Sequence, residues 1–383
     1  MKLPFFGGRH GVYVPSGNPY AGQVVAVFAN GTFSRSSDGT YLTAAEAISV
    51  ATSNVLRSEN RGDGYGAIPL FEGARTNLCV LSSSLGGWTA GPATNAGTTD
   101  YGTSPLGTTT AARVEKSATG SFGPTVSANI GATKAGTLSV WMKNNGGGAA
   151  TRLRFSFSTG ISLPITITSG WSLYSAYATF TGSAAENIGF DHRLNIPNTG
   201  DPAIATAVDA LVWNVQLEAV ATFPSSAIIN NTFAGVTRSA DTLTLTTAQY
   251  TAAAIQSFPT RWAVYPYFAS SDLADGDSFT IASFGDANSQ LRIRKASGSV
   301  KAEAVSGGSV VAASDAITFS RHQQLLITTR PAEGKIVTSG ATTGDGTGVG
   351  TAWTFANSTM RVGGILSSTG EAFCRIAQPV GVL

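Results

Sequence analysis

The chain has 383 residues, of which 42% are hydrophobic and only 12% charged, and its formal net charge is +2. That length can hold two or three separate cores. The hydrophobic share excludes a disordered chain, and the near-neutral balance excludes the strong positive field of a nucleic-acid-binding protein. No apolar run reaches the roughly 18 residues of a membrane span, so membrane insertion is not expected either.

Residues 1 to about 30 are rich in Gly, Pro, Tyr and Phe, with turn signals at Gly7-Gly8, Pro15-Ser-Gly17 and Asn18-Pro19 and one strand-like run, Val24-Val-Ala-Val-Phe28. Such an irregular aromatic arm cannot build a core of its own, which suits docking into another subunit. The run at Met1–Arg9 is too short and too broken for a secretory signal, so synthesis and folding in a cytoplasm are expected. Thr43-Ala-Ala-Glu46 has capping-box spacing and predicts a short helix over Ala44–Leu56. The Arg61-Gly62-Asp63 triplet sits in a Gly/Asp turn and reads as chance.

From residue 72 to about 222 the pattern is regular. Thr137–Met142, Thr151–Phe157, Leu163–Thr168, Ser172–Phe180, Asn187–Phe190 and Ala210–Leu217 alternate apolar and polar residues, with turns such as Asn144-Asn-Gly-Gly-Gly148 between them. Residues 223–258 read as a connector. A second set of strands follows, at Arg261–Phe268, Ser278–Phe284, Gln290–Lys295, Gln324–Thr329, Lys335–Thr338, Met360–Gly363 and Ala372–Ile376. The stretch 341–352, nearly all Gly, Thr, Ala and Asp, reads as a long loop. The absence of a short-period repeat disfavours a β-helix or propeller. The expected architecture is all-β: an irregular N-terminal attachment arm and lead-in over 1–71, a β-sandwich over 72–222, a connector over 223–258 and a second, jelly-roll-like sandwich over 259–383.

The residue types of familiar chemistry do not assemble in this sequence. His10, His192 and His322 each lack a nearby second ligand, and Cys79 and Cys374 read as two buried free thiols. Asp272-Leu-Ala-Asp-Gly-Asp277 lacks the spacing and terminal Glu of a calcium loop. Gly-rich stretches lie between strands and open no helix, so no phosphate cradle is indicated. Catalysis, a cofactor and a metal are not expected. A carboxylate pair for glycoside hydrolysis would be spatial, which keeps a polysaccharide depolymerase as an alternative.

Several segments, in order, resemble a module of bacteriophage tail-fibre and minor structural proteins. They are Thr32-Phe-Ser-Arg-Ser-Ser-Asp-Gly-Thr-Tyr41, Leu70-Phe-Glu-Gly-Ala-Arg-Thr-Asn-Leu78 with Trp88 soon after, Ser139-Val-Trp-Met-Lys143, Trp171-Ser-Leu-Tyr-Ser175, Gln216-Leu-Glu218, Phe223-Pro-Ser-Ser226 and Thr237-Arg-Ser-Ala-Asp241. The resemblance implies a carbohydrate-binding-like β-sandwich in a virion protein exposed on the particle surface. It also implies a homotrimer, held to other virion subunits by the N-terminal arm and binding host surface polysaccharide. The C-terminal part is similar in outline to laminin-G and concanavalin-like jelly rolls. A decoration or adaptor protein that anchors another fibre is the structural alternative. Read physically, Glu72, Arg75, Asn77, Gln216, Glu218, Arg238 and Asp241 are expected to tie chain segments together, since Arg and Asn carry multiple donors. Sugar contacts are sought at loop aromatics with nearby polar groups: Trp88, and Trp353 with Asp345 and Asn357, the alternative for both tryptophans being a place in a partly buried core.

Overall fold

The computed structural model describes residues 31–43, 45, 47–61, 67–81, 85, 88, 98–116, 122–129, 135–146, 150–154, 162–179, 185–191, 208–219, 221–252, 260–285, 288–344, 346–354, 359–362, 373–376 and 380–381. The expected attachment arm, His10 and His192 lie outside the described residues. The chain forms two compact units, one of Met1–Ala45, Val50–Ala74 and Ser239–Leu383, the other of Glu46–Ser49 and Arg75–Arg238. The second is thus an insertion in the sequence of the first. This division differs from the expected one. The lead-in belongs largely to the same unit as the C-terminal strands, and the connector is divided at Arg238. Strand partners that close across an insertion leave no local sequence signal.

Both units are all-β, as expected. In the discontinuous unit a seven-stranded antiparallel sheet runs Thr32–Ser34, Thr242–Leu245, Met360–Val362, Ser278–Phe284, Gln290–Ala296, Ser299–Ser306, Ser309–Ala313. Its apolar face is a cross-strand row, Leu243–Val362–Ala282–Leu291–Ala304–Ala312, every member buried. The last two strands escape the sequence pattern because their inward positions are mostly small alanines. They are joined by tight hairpins in which both central residues have positive φ, Ser297 and Gly298 in one and Gly307 and Gly308 in the other. That is the type I′ geometry that matches strand twist.

An eight-stranded sheet completes the unit, in the order Gly346–Val349, Lys335–Ser339, Leu325–Arg330, Thr260–Pro266, Phe373–Ile376, Ile68–Glu72, Ser58–Glu59, with Val380–Gly381 also on Thr260–Pro266. Trp262, Val264, Ile327, Ile336 and Ile376 are buried in it. Strand Ile68–Glu72, far away in sequence, pairs with Phe373–Ile376 near the C-terminus.

The inserted unit is a two-sheet sandwich. Five strands run Ser172–Thr179, Ala135–Asn144, Val208–Ala219, Thr109–Lys116, Thr98–Thr103, and four run Ser162–Thr166, Ala150–Arg154, Ala185–Asp191, Phe122–Asn129. Leu138, Val140, Met142, Val212, Val215 and Leu217 of the first sheet meet Val126, Ile165, Ile188 and Phe190 of the second in one core, which also holds Cys79. Burial in apolar surroundings raises the Cys79 thiol far above its ordinary range, despite a backbone hydrogen bond from Leu217 that opposes the shift.

Two local expectations are corrected. Residues Ile48–Ala51 form a strand, not part of a helix over 44–56, because β-branched Ile48 and Val50 suit the pleat and outweigh the cap signal. The only α-helix among the described residues is the six-residue Thr247–Ala252. The supposed loop 341–352 contains the strand Gly346–Val349. Its glycines alternate because a Cβ at Gly348 or Gly350 would overlap the carbonyl oxygen of Ala313 or Val311. Gly348→Ala should therefore lower the unfolding free energy by about 1–3 kcal/mol, the usual cost of overpacking, read by urea denaturation. An unchanged midpoint would contradict this close approach.

Candidate functional site

The motif residues form two clasps, one in each unit. In the discontinuous unit the hub is Asp241, fully buried. Its Oδ1 accepts from Arg35 Nη1 at 3.0 Å, and its Oδ2 accepts from Arg57 Nη2 and, at 2.9 Å, from the Glu72 amide. Arg57 Nη1 donates to Glu72 Oε2 at 2.7 Å and to the Thr40 carbonyl at 2.8 Å. Arg35 also donates to the carbonyls of Ser37, Ala51 and Thr52. Burial alone would lower the Arg57 pKa, but the Asp241 and Glu72 carboxylates outweigh it and raise it. Arg35 lies within a quoted motif but drew no role from it. Arg57 carried no sequence signal at all, since its carboxylate partners are distant in sequence.

The inserted unit has its own clasp. Asn77, 0% exposed, fills all its hydrogen-bonding positions: Nδ2 donates to Val215 and Ile228 carbonyls, and Oδ1 accepts from the Cys79 and Leu217 amides. Gln216 Oε1 accepts from the Ile228 amide at 2.6 Å, and its Nε2 donates to Glu218 Oε1 at 2.6 Å. Glu218 Oε1 also accepts from the Ser225 amide, and Arg238 Nη1 donates to Ser226 Oγ at 2.8 Å. Arg75 lies 3.7 Å from Glu218 Oε2 and over the Phe223 ring. Together these side chains strap Phe223–Ser226 across the outer face of the five-stranded sheet.

The expected ligand aromatics are corrected. Trp88 is 8% exposed, sits in the sandwich core against Phe190, and donates its indole N–H to the Val80 carbonyl. Trp353 is 6% exposed. Neither presents a ring face to a sugar, because large apolar rings beside glycine turns complete cores when core space is within reach. Asp345 and Asn357 lie outside the described residues. Arg61 of the Arg-Gly-Asp triplet is held by Glu59 and stacks on Tyr267. Asp272, Asp275 and Asp277 each accept a backbone N–H.

The structure brings together a cluster that the sequence reading missed. Tyr101, 47% exposed, lies with its ring 5.0 Å from the Arg113 guanidinium carbon. Arg113 grips Asp209 with two parallel bonds, Nε to Oδ1 at 2.9 Å and Nη2 to Oδ2 at 2.8 Å, and reaches Glu115 at 2.9 Å. Asn145 Nδ2 adds 3.1 Å to Asp209 Oδ1. All belong to the inserted unit. The strand ladder is irregular between Thr98 and Gly102, where Asp100 has a φ of 49°, and this re-aims Tyr101. The available signal was alternation: Arg113 and Glu115 flank inward Val114, and Asp209 sits between inward Val208 and Ala210. The Arg113 hydrogen bonds, against the opposing effect of burial and with help from Asn145, lower the Asp209 pKa.

No family model matches the chain, and no curated protein does. Among solved structures it is similar to the N-terminal CBM22-1–CBM22-2 tandem domain of Paenibacillus barcinonensis Xyn10C, at 12% identity, over 82% of this chain and 100% of that chain, with a TM-score of 0.25. A likeness this loose assigns the chain neither a family nor a ligand.

Asp241→Asn leaves buried Arg35 and Arg57 short of a counter-charge. It should cost about 3–5 kcal/mol of unfolding free energy, measured by urea unfolding of the full chain. A loss below about 1 kcal/mol would show the hub to be dispensable.

Proposed function

We propose that this chain is a non-enzymatic fibre or spike protein of a virus particle, and that its inserted sandwich binds a cell-surface glycan. One observation carries the glycan reading: the exposed Tyr101 ring, pre-set by Arg113 and bordered by Asp209, Glu115 and Asn145. Sugars offer apolar C–H faces for stacking and hydroxyls for hydrogen bonds, and such a ring edged by carboxylate and amide groups meets both. The particle assignment is supported by the ordered motif segments, whose residues make the internal bonds of the two clasps. The N-terminal arm is proposed to attach the protein to other virion subunits, in a homotrimer.

Tyr101→Ala should leave the melting temperature unchanged and weaken binding on a glycan array and in cell adsorption by about tenfold, the equivalent of 1.4 kcal/mol. Full binding by the variant would sink the site. Unchanged adsorption on removal of the protein, with loss of particle stability, would select the adaptor reading. The lowered Asp209 pKa sets a pH signature. The Arg113–Asp209 grip persists from neutral pH through the ordinary aspartate value of about 3.9 and is lost only as pH falls below it. Glycan affinity should follow that profile, and a loss centred near pH 6 would contradict it.

A further inference from the structure

We propose that the outward face of the seven-stranded sheet binds an anionic polysaccharide, at a surface separate from Tyr101. Strand register places Arg361 opposite Ser283 and Ser283 opposite Gln290. The next rows are Thr280–Arg292–Glu303 and Ser278–Arg294–Lys301. Because side chains alternate along a strand, these rows share the face opposite the buried Leu291, Ile293, Ala302 and Ala304. Arg361, Arg292, Arg294 and Lys301 therefore share one surface, on which Glu303 is the one strand carboxylate among the described residues.

Glu303 is committed to Arg292, at 2.8 Å from Nε and 2.7 Å from Nη2. No salt bridge among the described residues engages Arg361, Arg294 or Lys301. Beneath these half-buried cations lies a polar floor. Thr280, 0% exposed, donates to Gln290 Oε1 at 2.9 Å, and the hydroxyl of Ser283, 1% exposed, has no hydrogen-bond partner among the described residues. An unsatisfied buried hydroxyl costs roughly 1–3 kcal/mol, and a ligand oxygen admitted by a shift of the overlying Arg361 and Gln290 side chains would satisfy it. Neighbouring strands lie ~4.8 Å apart and alternate residues ~6.8 Å apart. The cations thus form an array able to meet carboxylates repeated along an extended chain, with guanidinium forks suited to paired oxygens. Among the described residues the face has no strand aromatic for stacking bases, which favours a polysaccharide over single-stranded nucleic acid.

The test uses the full chain, with polygalacturonate as the anionic probe, dextran as the neutral one and an oligodeoxynucleotide of equal charge as competitor. Polygalacturonate should bind, more weakly as salt rises. R294Q/K301Q/R361Q should lose about tenfold or more in affinity, while the charge-preserving R294K/K301R/R361K stays within about threefold of the parent. Y101A should bind polygalacturonate as the parent does, which separates failure of this surface from failure of the Tyr101 site. Equal retention of dextran and polygalacturonate, full binding by the neutralised variant, or equal competition by the oligonucleotide would each overturn the proposal.

Discussion

One buried carboxylate, Asp241, organises the discontinuous unit. Two guanidinium groups and a backbone amide converge on it from Arg35, Arg57 and Glu72, segments that a long insertion separates from Asp241. Removing such charges from water is expensive, and only mutual pairing plus hydrogen bonds to carbonyls makes the arrangement tolerable. A hydrophobic cluster in the same place would tolerate slippage. The fixed geometry of a guanidinium fork does not, so the network defines where the chain leaves this unit and where it returns.

The inserted sandwich achieves closure with different chemistry. Asn77 uses its amide as a miniature backbone, bonding to two carbonyls and two amides. Gln216, Glu218 and Arg238 then hold the Phe223–Ser226 strap. These polar side chains are all buried and bonded to protein partners, with Glu218 Oε2 left to face Arg75 at 3.7 Å. The clasp residues therefore serve the internal closure of the two units. The surfaces available to a ligand, Tyr101 with Arg113 and the cationic face of the seven-stranded sheet, lie outside the clasp motifs.

That division explains what could be read in advance. Strands with alternating large apolar residues, such as Ser278–Phe284 and Gln290–Ala296, were legible because their period is local. Ser299–Ser306 was not, since its inward residues are mostly alanine, nor was Gly346–Val349, whose glycines mark backbone contact and not a loop. A tying role for Arg75 and Asn77 was expected from their donor geometry, but Arg57 was invisible because its partners are remote in sequence. Trp88 and Trp353 carried two readings, ligand ring or partly buried core, because a tryptophan beside glycines looks the same in sequence whether it faces solvent or core; both are buried. Tyr101 and Arg113 were missed because only strand register sets them side by side.

The central claim is that the motif residues hold the fold and do not contact ligand. The most direct measurement is the glycan affinity of Glu218→Gln at a temperature where the protein remains folded. The account predicts a lowered unfolding free energy with the dissociation constant unchanged within about twofold. A dissociation constant raised about tenfold, with unfolding free energy unaltered, would contradict it.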